Sequence, residues 1–372
     1  MSSNSKSDRY SRQIQLQNFG IQAQNKLNES KVLVVGAGAL GCPVLSYLTA
    51  AGIGKIGIVD GDVIEFSNLH RQVLYTIENI GRSKANVAKE RLQAMNHDIK
   101  IEVFETYLST ENAFEIVKDY DVVIDGTDNF PTRYLVNYMC VLRDKINIHG
   151  SISQYSGQVS VFNYLHSDGK RGPNYRDLFP VPPNPDEVVS CAEGGVIGAL
   201  PGIIGSTMAM ECIKVLTGIG TILSGKLQQT DSLTGTSHLL TFTADKANPL
   251  TGELPTQFDL IDYMQFCNPS KVKRMKSINV SDLKTMIANN EDFQLIDVRE
   301  TFEFDEANMS GTLIPLSEIP TRFPEISKDK KVVIHCKMGG RSANAIGFLE
   351  QNHGFENLHN LEGGIIAWLA EN

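Results

Sequence analysis

The run Lys31-Val-Leu-Val-Val35 leads straight into Gly36-Ala37-Gly38-Ala39-Leu40-Gly41, and that junction restricts the fold more than anything else in the chain. An apolar, β-branched segment ending in glycines at this spacing predicts a buried strand, a tight turn and a helix. The glycines let the chain turn, let a phosphate approach the backbone and let helix and strand pack closely. The helix N-terminus then offers unpaired N–H groups to an anion.

The helix is expected over the small-residue stretch Ala39–Ala51. Ile56-Gly-Ile-Val-Asp60 reads as the next parallel strand, Lys84–Met95 as a helix, Ile101–Tyr107 and Asp121–Asp125 as further strands. This alternation predicts an α/β, Rossmann-like doubly wound sheet. From Ile146 the texture changes to strand-like segments at 146–151 and 158–164, a Pro-rich loop at 173–185, a helix at about 196–217 and a hairpin over Gln228–Thr243. Those segments extend the sheet in antiparallel fashion.

At 372 residues the chain is too long for one ordinary domain. Residues 244–275 hold three prolines and little periodicity, the texture of a linker. The expected division is a nucleotide-binding domain at 1–250, a linker at 251–274 and a small α/β domain at 275–372. In the last, Val280–Asn289 and Ser342–Asn352 read as helices, and Phe293–Val298 and Lys331–His335 as strands.

The formal net charge is −9, and acidic residues exceed basic ones on both sides of residue 270, which argues against nucleic acid as a partner. Met1 to Arg12 is polar, unlike a signal peptide. No apolar run approaches the roughly 18 residues of a membrane span. The six cysteines, at 42, 140, 191, 212, 267 and 336, form no Cys-x-x-Cys pair, so neither a disulfide framework nor a thiolate zinc site is suggested. A reducing cytoplasm is the expected setting.

Asp60 ends the second strand, where a carboxylate can accept hydrogen bonds from a ribose, and to this point an NAD-dependent dehydrogenase fits equally well. Asn68-Leu-His-Arg71-Gln72 and Lys84 follow, and two cations there suit a triphosphate better than a nicotinamide. Asp125-Gly-Thr-Asp128-Asn129 follows another strand. That puts Asp128 at the carboxyl edge of the sheet, where α/β ligands bind and where one carboxylate plus phosphate oxygens can hold Mg²⁺.

Together with Arg9-Tyr-Ser-Arg12-Gln13 and Cys191-Ala-Glu-Gly-Gly195, these motifs resemble the MoeB/ThiF (HesA) group of adenylating enzymes, relatives of the ubiquitin-activating enzymes, over about residues 8–245. The resemblance implies that ATP adenylates the C-terminal glycine of a small ubiquitin-like sulfur carrier. By matching position, Gly36, Gly38 and Gly41 form the phosphate loop, Asp60 binds the ribose, and Asn68, Arg71, Gln72 and Lys84 surround the nucleotide. Asp128 binds Mg²⁺, and Arg12 reaches the phosphates of the other subunit of a homodimer. Cys191 corresponds to a position that can link covalently to the carrier. Many members of the group hold a zinc ion with two Cys-x-x-Cys pairs; Asn174 and Asp177 stand where the first is expected, and Ala247–Gly252 also lacks cysteine. No zinc is therefore expected.

The second centre is Cys336-Lys337-Met-Gly-Gly-Arg341, at the end of a strand and the start of a helix. Loop N–H groups at a helix N-terminus lower a thiol pKa and stabilise a thiolate or persulfide, and Lys337 and Arg341 add positive charge. A phosphatase loop places five residues between its cysteine and arginine, whereas four lie between Cys336 and Arg341. With Asp297-Val-Arg299-Glu300 and Glu362-Gly-Gly-Ile-Ile-Ala-Trp368, the segment 275–372 resembles a rhodanese domain. That resemblance implies a persulfide on Cys336, with Asp297 and Arg299 holding the fold.

The two resemblances imply adenylation of a Gly-Gly carrier followed by sulfur transfer from Cys336 to form a thiocarboxylate, for molybdopterin, thiamine or a related product. A cysteine desulfurase is one possible sulfur donor. The alternatives are a ubiquitin-like protein activator working through a Cys191 thioester with a regulatory rhodanese domain, and a carrier-binding scaffold that does not turn over ATP.

Overall fold

A computed structural model of the chain describes residues 6–183, 195–267 and 276–370. The chain forms two compact units, Met1–Pro269 and Ser270–Asn372. The first is built on strands β1 (Lys31–Val35), β2 (Lys55–Val59), β3 (Lys100–Phe104), β4 (Val122–Asp125), β5 (Ile146–Ser153), β6 (Ser156–Phe162), β7 (Lys226–Asp231) and β8 (Thr236–Thr241). They join in one sheet of order β3-β2-β1-β4-β5-β6-β7-β8. The pairs from β3 through β5 are parallel and those from β5 through β8 antiparallel, as expected from the change of texture after Ile146.

β1 shows why the central strands look uniformly apolar. Val32 and Val34 pack into the core on one face, while Leu33 and Val35 enter the core on the other. Successive side chains of a strand alternate between faces, so a strand covered on both sides has apolar residues throughout. Helices α1 (Gly20–Glu29), α2 (Gly41–Ala51), α3 (Lys84–Met95), α4 (Phe130–Leu142), α5 (Leu200–Thr217) and α6 (Tyr263–Cys267) are among those of this unit. Leu45, Leu92 and Met208 bring α2, α3 and α5 into the first core, and Tyr134 and Tyr263 bring α4 and α6 into the second.

Helix α4 is absent from the sequence reading above, although it begins with a cap signal. Asn129 Oδ1 accepts the N–H of Thr132 at 2.9 Å, and Pro131 lies in the first turn. Residues 251–267, read above as linker, lie within the first unit: Tyr263 and Cys267 are buried in its core, and the Tyr263 ring meets Tyr138 edge-on at 5.2 Å. Apolar side chains spaced irregularly along a proline-containing segment leave no periodic trace, yet each can fill a hole in an existing core.

Where zinc-binding cysteines were considered, the chain carries a polar clasp. Asp177 accepts hydrogen bonds from Asn174 N (2.6 Å), Asp245 N (2.8 Å) and Asn248 Nδ2 (2.7 Å), and Asn174 Nδ2 donates to Thr251 Oγ1 at 2.9 Å. Asn174-x-x-Asp177 and Asn248-x-x-Thr251 thus tie two distant loops together by hydrogen bonds.

The second unit has strands β9 (Ser277–Ile278), β10 (Phe293–Asp297), β11 (Thr312–Leu313), β12 (Lys331–His335) and β13 (Leu358–Leu361) in the order β11-β10-β12-β13-β9, all parallel. Helices α7 (Val280–Ala288), α8 (Thr301–Glu306), α9 (Gly340–His353) and α10 (Gly364–Ala370) accompany them. α7 buries Val280, Leu283 and Met286, one side chain per turn. α9 starts two residues before the expected Ser342, which places Arg341 and Ser342 in its first turn.

Candidate functional sites

In the first unit the candidate site forms at the carboxyl ends of β1, β2 and β4. β1 lies between β2 and β4, so the order reverses there and opens a crevice above the strand ends. The glycines differ in what they permit. Gly36 has φ +92° and a Cβ there would sit 3.0 Å from Gly126 O, while a Cβ on Gly41 would strike the Gly36 carbonyl. Gly36 is thus required by conformation and Gly41 by close packing. Over Gly38 the space is open apart from Gln72 Nε2 at 3.7 Å.

Asp60 binds the loop from below: its Oδ2 accepts Ala37 N–H at 2.7 Å and its Oδ1 accepts Asp62 N–H at 2.8 Å. Burial raises Asp60 above the usual carboxylate range. Asn68, also buried, accepts Glu65 N–H at 3.1 Å and so shapes the turn that carries Arg71 and Gln72. Arg71 Nη1 donates to Ser67 O at 2.9 Å and lies 2.7 Å from His70 Nε2. Gln72 is 4% exposed, and its Oε1 has no partner. Its Nε2 is the atom that lies over Gly38, so as placed the amide already presents an N–H to that open space.

Lys84 opens α3 and is only 6% exposed. Its ammonium is 2.8 Å from Asp62 Oδ2, and Tyr107 Oη donates to Asp62 Oδ1 at 2.6 Å. Burial pushes Asp62 up, but these two partners hold it below the usual carboxylate range. Neither Asp62 nor Tyr107 was picked out from sequence; the repeat of an acid two residues beyond Asp60 was the available signal. Asp128 is exposed beyond the end of β4, following Gly126 and Thr127. Among the described residues no three His, Cys, Asp or Glu side chains cluster as a metal site. A lone exposed carboxylate suits a divalent ion that arrives with phosphate, since Mg²⁺ commonly takes one or two carboxylates and completes its shell with phosphate oxygen and water.

Arg12 is not brought to this site. Its neighbours Tyr10 and Gln13 pack at Gly52 and Ala51, at the end of α2 remote from the glycine loop. Cys191 lies outside the described residues. Cys42, Cys140 and Cys212 are buried in the core, and Cys267, in the segment read above as linker, joins them.

The second unit holds Cys336 at the end of β12, 2% exposed. Gly339 N–H donates to its Sγ at 3.1 Å, and Ser342 Oγ lies 3.4 Å away. Burial pushes the thiol up, but donation from Ser342, Gly339 and Met338 outweighs it and leaves Cys336 below its ordinary value. Gly339 has φ +108°, which turns its N–H inward. Asn360, unmarked in the sequence, accepts from Ser342 Oγ at 2.6 Å and donates to Gly339 O at 3.2 Å. The Glu362–Trp368 motif packs against the same loop: Ile365 N–H donates to Cys336 O at 2.9 Å, and a Cβ on Gly364 would collide with that carbonyl.

Arg341 interacts with the charge at Cys336 and also has a carboxylate partner. Both of its terminal nitrogens bind the Glu303 carboxylate, at 2.6 and 2.7 Å, and hold Glu303 down to about 2. Its charge is therefore matched locally, and it ties the sulfur loop to α8. Asp297 and Arg299 form a buried pair at 2.6 Å, and Arg299 also caps Glu303 O and Ala307 O, a fold-holding role.

A doubly wound sheet with a glycine loop, acids and cations at its switch point, joined in one chain to a parallel domain with a thiolate cradle, defines a nucleotide-binding protein with a sulfur-chemistry module. Residues 10–251 match the ThiF family and 279–371 the rhodanese-like domain; the chain belongs to the ThiF family and carries a rhodanese-like domain. It is 41% identical to a probable adenylyltransferase/sulfurtransferase MoeZ of Mycobacterium tuberculosis over 98% of this chain and 93% of that one. A sulfur carrier protein adenylyltransferase of Thermus thermophilus is 51% identical over 70% of this chain and 96% of its own length. The fold is shared with E. coli MccB solved with ATP, at TM-score 0.58 and 21% identity over 68% of this chain and 75% of that one. No helix among the described residues is long and apolar enough to cross a membrane.

Proposed function

We propose that the chain is an adenylyltransferase and sulfurtransferase acting on a ubiquitin-like sulfur carrier. The carrier's C-terminal glycine carboxylate attacks the α-phosphate of ATP, and pyrophosphate leaves. The outer sulfur of a Cys336 persulfide then attacks the acyl carbon and displaces AMP. Transfer leaves the carrier joined to Cys336 as an acyl disulfide; attack by a reducing thiol on the Cys336 sulfur releases the thiocarboxylate and leaves a mixed disulfide that a second equivalent of the thiol reduces, with Cys191 assisting the transfer or release.

The chain's own residues have separable roles in this reading. Gly36, Gly38 and Gly41 let phosphate reach the backbone at the start of α2, and Asp60 receives the ribose. Asn68, Arg71, Gln72 and Lys84 neutralise and orient the phosphates, because a carboxylate approaching them must overcome repulsion. Asp128 would hold Mg²⁺, which when bound shields the phosphate charge. Arg12 acts across a homodimer. A cysteine desulfurase is a suitable source of the Cys336 sulfur, and molybdopterin, thiamine or a related compound is the eventual product.

The observation that carries the reading is the cradle around Cys336, built from N–H and hydroxyl donors that favour an anionic sulfur. It shares a chain with a nucleotide site whose cations suit a triphosphate. ATP–pyrophosphate exchange with candidate carriers ending in Gly-Gly is the test. Exchange should require the carrier and Asp128, and Cys336→Ala should keep exchange but lose thiocarboxylate formation. Tight ATP binding without exchange for any carrier would favour a scaffold, and conjugation that survives Cys336→Ala would favour a Cys191-based activator.

A further inference from the structure

Beneath the turn that carries Asp128 lies a buried carboxylate–imidazole pair outside the roles assigned above. Asp125, the last residue of β4, and His149, in the middle of β5, are cross-strand neighbours, each 1% exposed, with His149 Nδ1 3.0 Å from Asp125 Oδ2. His149 is walled in by Phe162 and Tyr175, with ring centroids at 5.8 and 5.1 Å. The other carboxylate oxygen faces the turn: Asp125 Oδ1 accepts Thr127 Oγ1 at 2.6 Å and Thr127 N–H at 3.1 Å. Arg133 Nη2, from α4, holds Thr127 O at 3.3 Å. Gly126 N–H donates to Val35 O at 2.9 Å, on the strand that enters the glycine loop.

Each residue between Asp125 and Asp128 is therefore tied from below, and Asp128 is the first to emerge exposed. A carboxylate buried to this depth is costly unless its lone pairs are matched. Here His149 matches one oxygen from the core, which leaves the other to fix the turn. Burial keeps the imidazole below its ordinary value, while His149, Arg133 and Thr127 hold Asp125 below its ordinary value despite burial.

We propose that Asp125 and His149 are positioning residues: through Thr127 they set the Gly126–Asp128 turn so that the Asp128 carboxylate is aimed at the phosphate-bound metal before nucleotide arrives. This rests on the reading of Asp128 as the Mg²⁺ residue. A pair serving only the sheet would have no need to direct a carboxylate oxygen into a loop.

The test uses the full chain and calorimetric binding of a non-hydrolysable ATP analogue with and without Mg²⁺, beside ATP–pyrophosphate exchange and the Tm of each variant. In the wild type Mg²⁺ tightens analogue binding, and Asp128→Asn removes that gain. Thr127→Val and His149→Phe should each cut the Mg²⁺-dependent gain about fivefold, the size of one misplaced hydrogen-bonding group, while leaving metal-free affinity within about twofold. His149→Asn, which keeps a donor near the Nδ1 position, should recover most of the gain, a rescue that a purely packing role would not produce. If Asp128→Asn loses the gain while Thr127→Val keeps it in full, the inference fails and the reading of Asp128 stands. Retention of the gain in Asp128→Asn overturns both. Should His149→Phe not fold, Thr127→Val decides, because it leaves the buried pair in place.

Discussion

Ser342→Ala should make the Cys336 thiol less acidic by about one pKa unit. The hydroxyl lies 3.4 Å from Sγ, but it also lies 2.6 Å from Asn360 Oδ1 and 3.0 Å from Gly339 O. A hydrogen bond to a charged acceptor is worth about 1.5–3 kcal/mol. One proton shared among three acceptors belongs at the lower end, and about 1.4 kcal/mol corresponds to one pKa unit. Gly339 N–H, 3.1 Å from the sulfur, remains in the variant, so the acidity should be reduced without being abolished. The assay is the pH dependence of Cys336 alkylation by iodoacetamide, followed by peptide mass spectrometry with Cys336→Ala as blank. Cys42 and Cys267 are pushed up to about 12 by burial and react little near neutral pH. An alkylation midpoint that stays in place or falls in Ser342→Ala would refute the donor role of the hydroxyl.

Two further outcomes concern stability. Arg341 holds Glu303 at about 2 against an ordinary value of 4.5, so this pair's contribution is complete above about pH 4.5 and disappears as pH falls toward 2. Urea unfolding of Glu303→Gln, followed by the fluorescence of the single tryptophan, Trp368, should be less stable by about 1 kcal/mol near neutral pH and show a flatter acid profile than the wild type. Asp177→Ala removes the acceptor for Asn174 N, Asp245 N and Asn248 Nδ2 and should destabilise the first unit by about 2–4 kcal/mol in calorimetry. EDTA should leave the wild-type transition unmoved, and a drop in Tm with EDTA would mean that the clasp does not replace a metal.

Much of the architecture could be read directly. Val32 through Val35 are apolar in succession because both faces of β1 are covered, and Ser83 caps the helix that begins at Lys84 by accepting Asn86 N–H at 3.4 Å. The burial of Tyr263 was not legible, because its partner Tyr138 is remote in sequence and the local segment carries prolines and no period. Arg341 was only half legible for a related reason. Its motif announces a positive charge, whereas the carboxylate that matches it comes from Glu303, 38 positions earlier. His149 stands in a strand of mixed polarity and acquires a role only from its neighbour on β4.

The sequence by itself determined the strand-turn-helix of the glycine loop and the cup that ends in Arg341, because backbone sign, close packing at a turn and strand periodicity are local properties of consecutive residues. The tertiary structure decided which ionisable groups meet. Asp62 with Lys84, Glu303 with Arg341 and Asp125 with His149 are joined by folding across strands and loops. An ionisable group's state depends on distance and dielectric, and neither exists until the chain has folded.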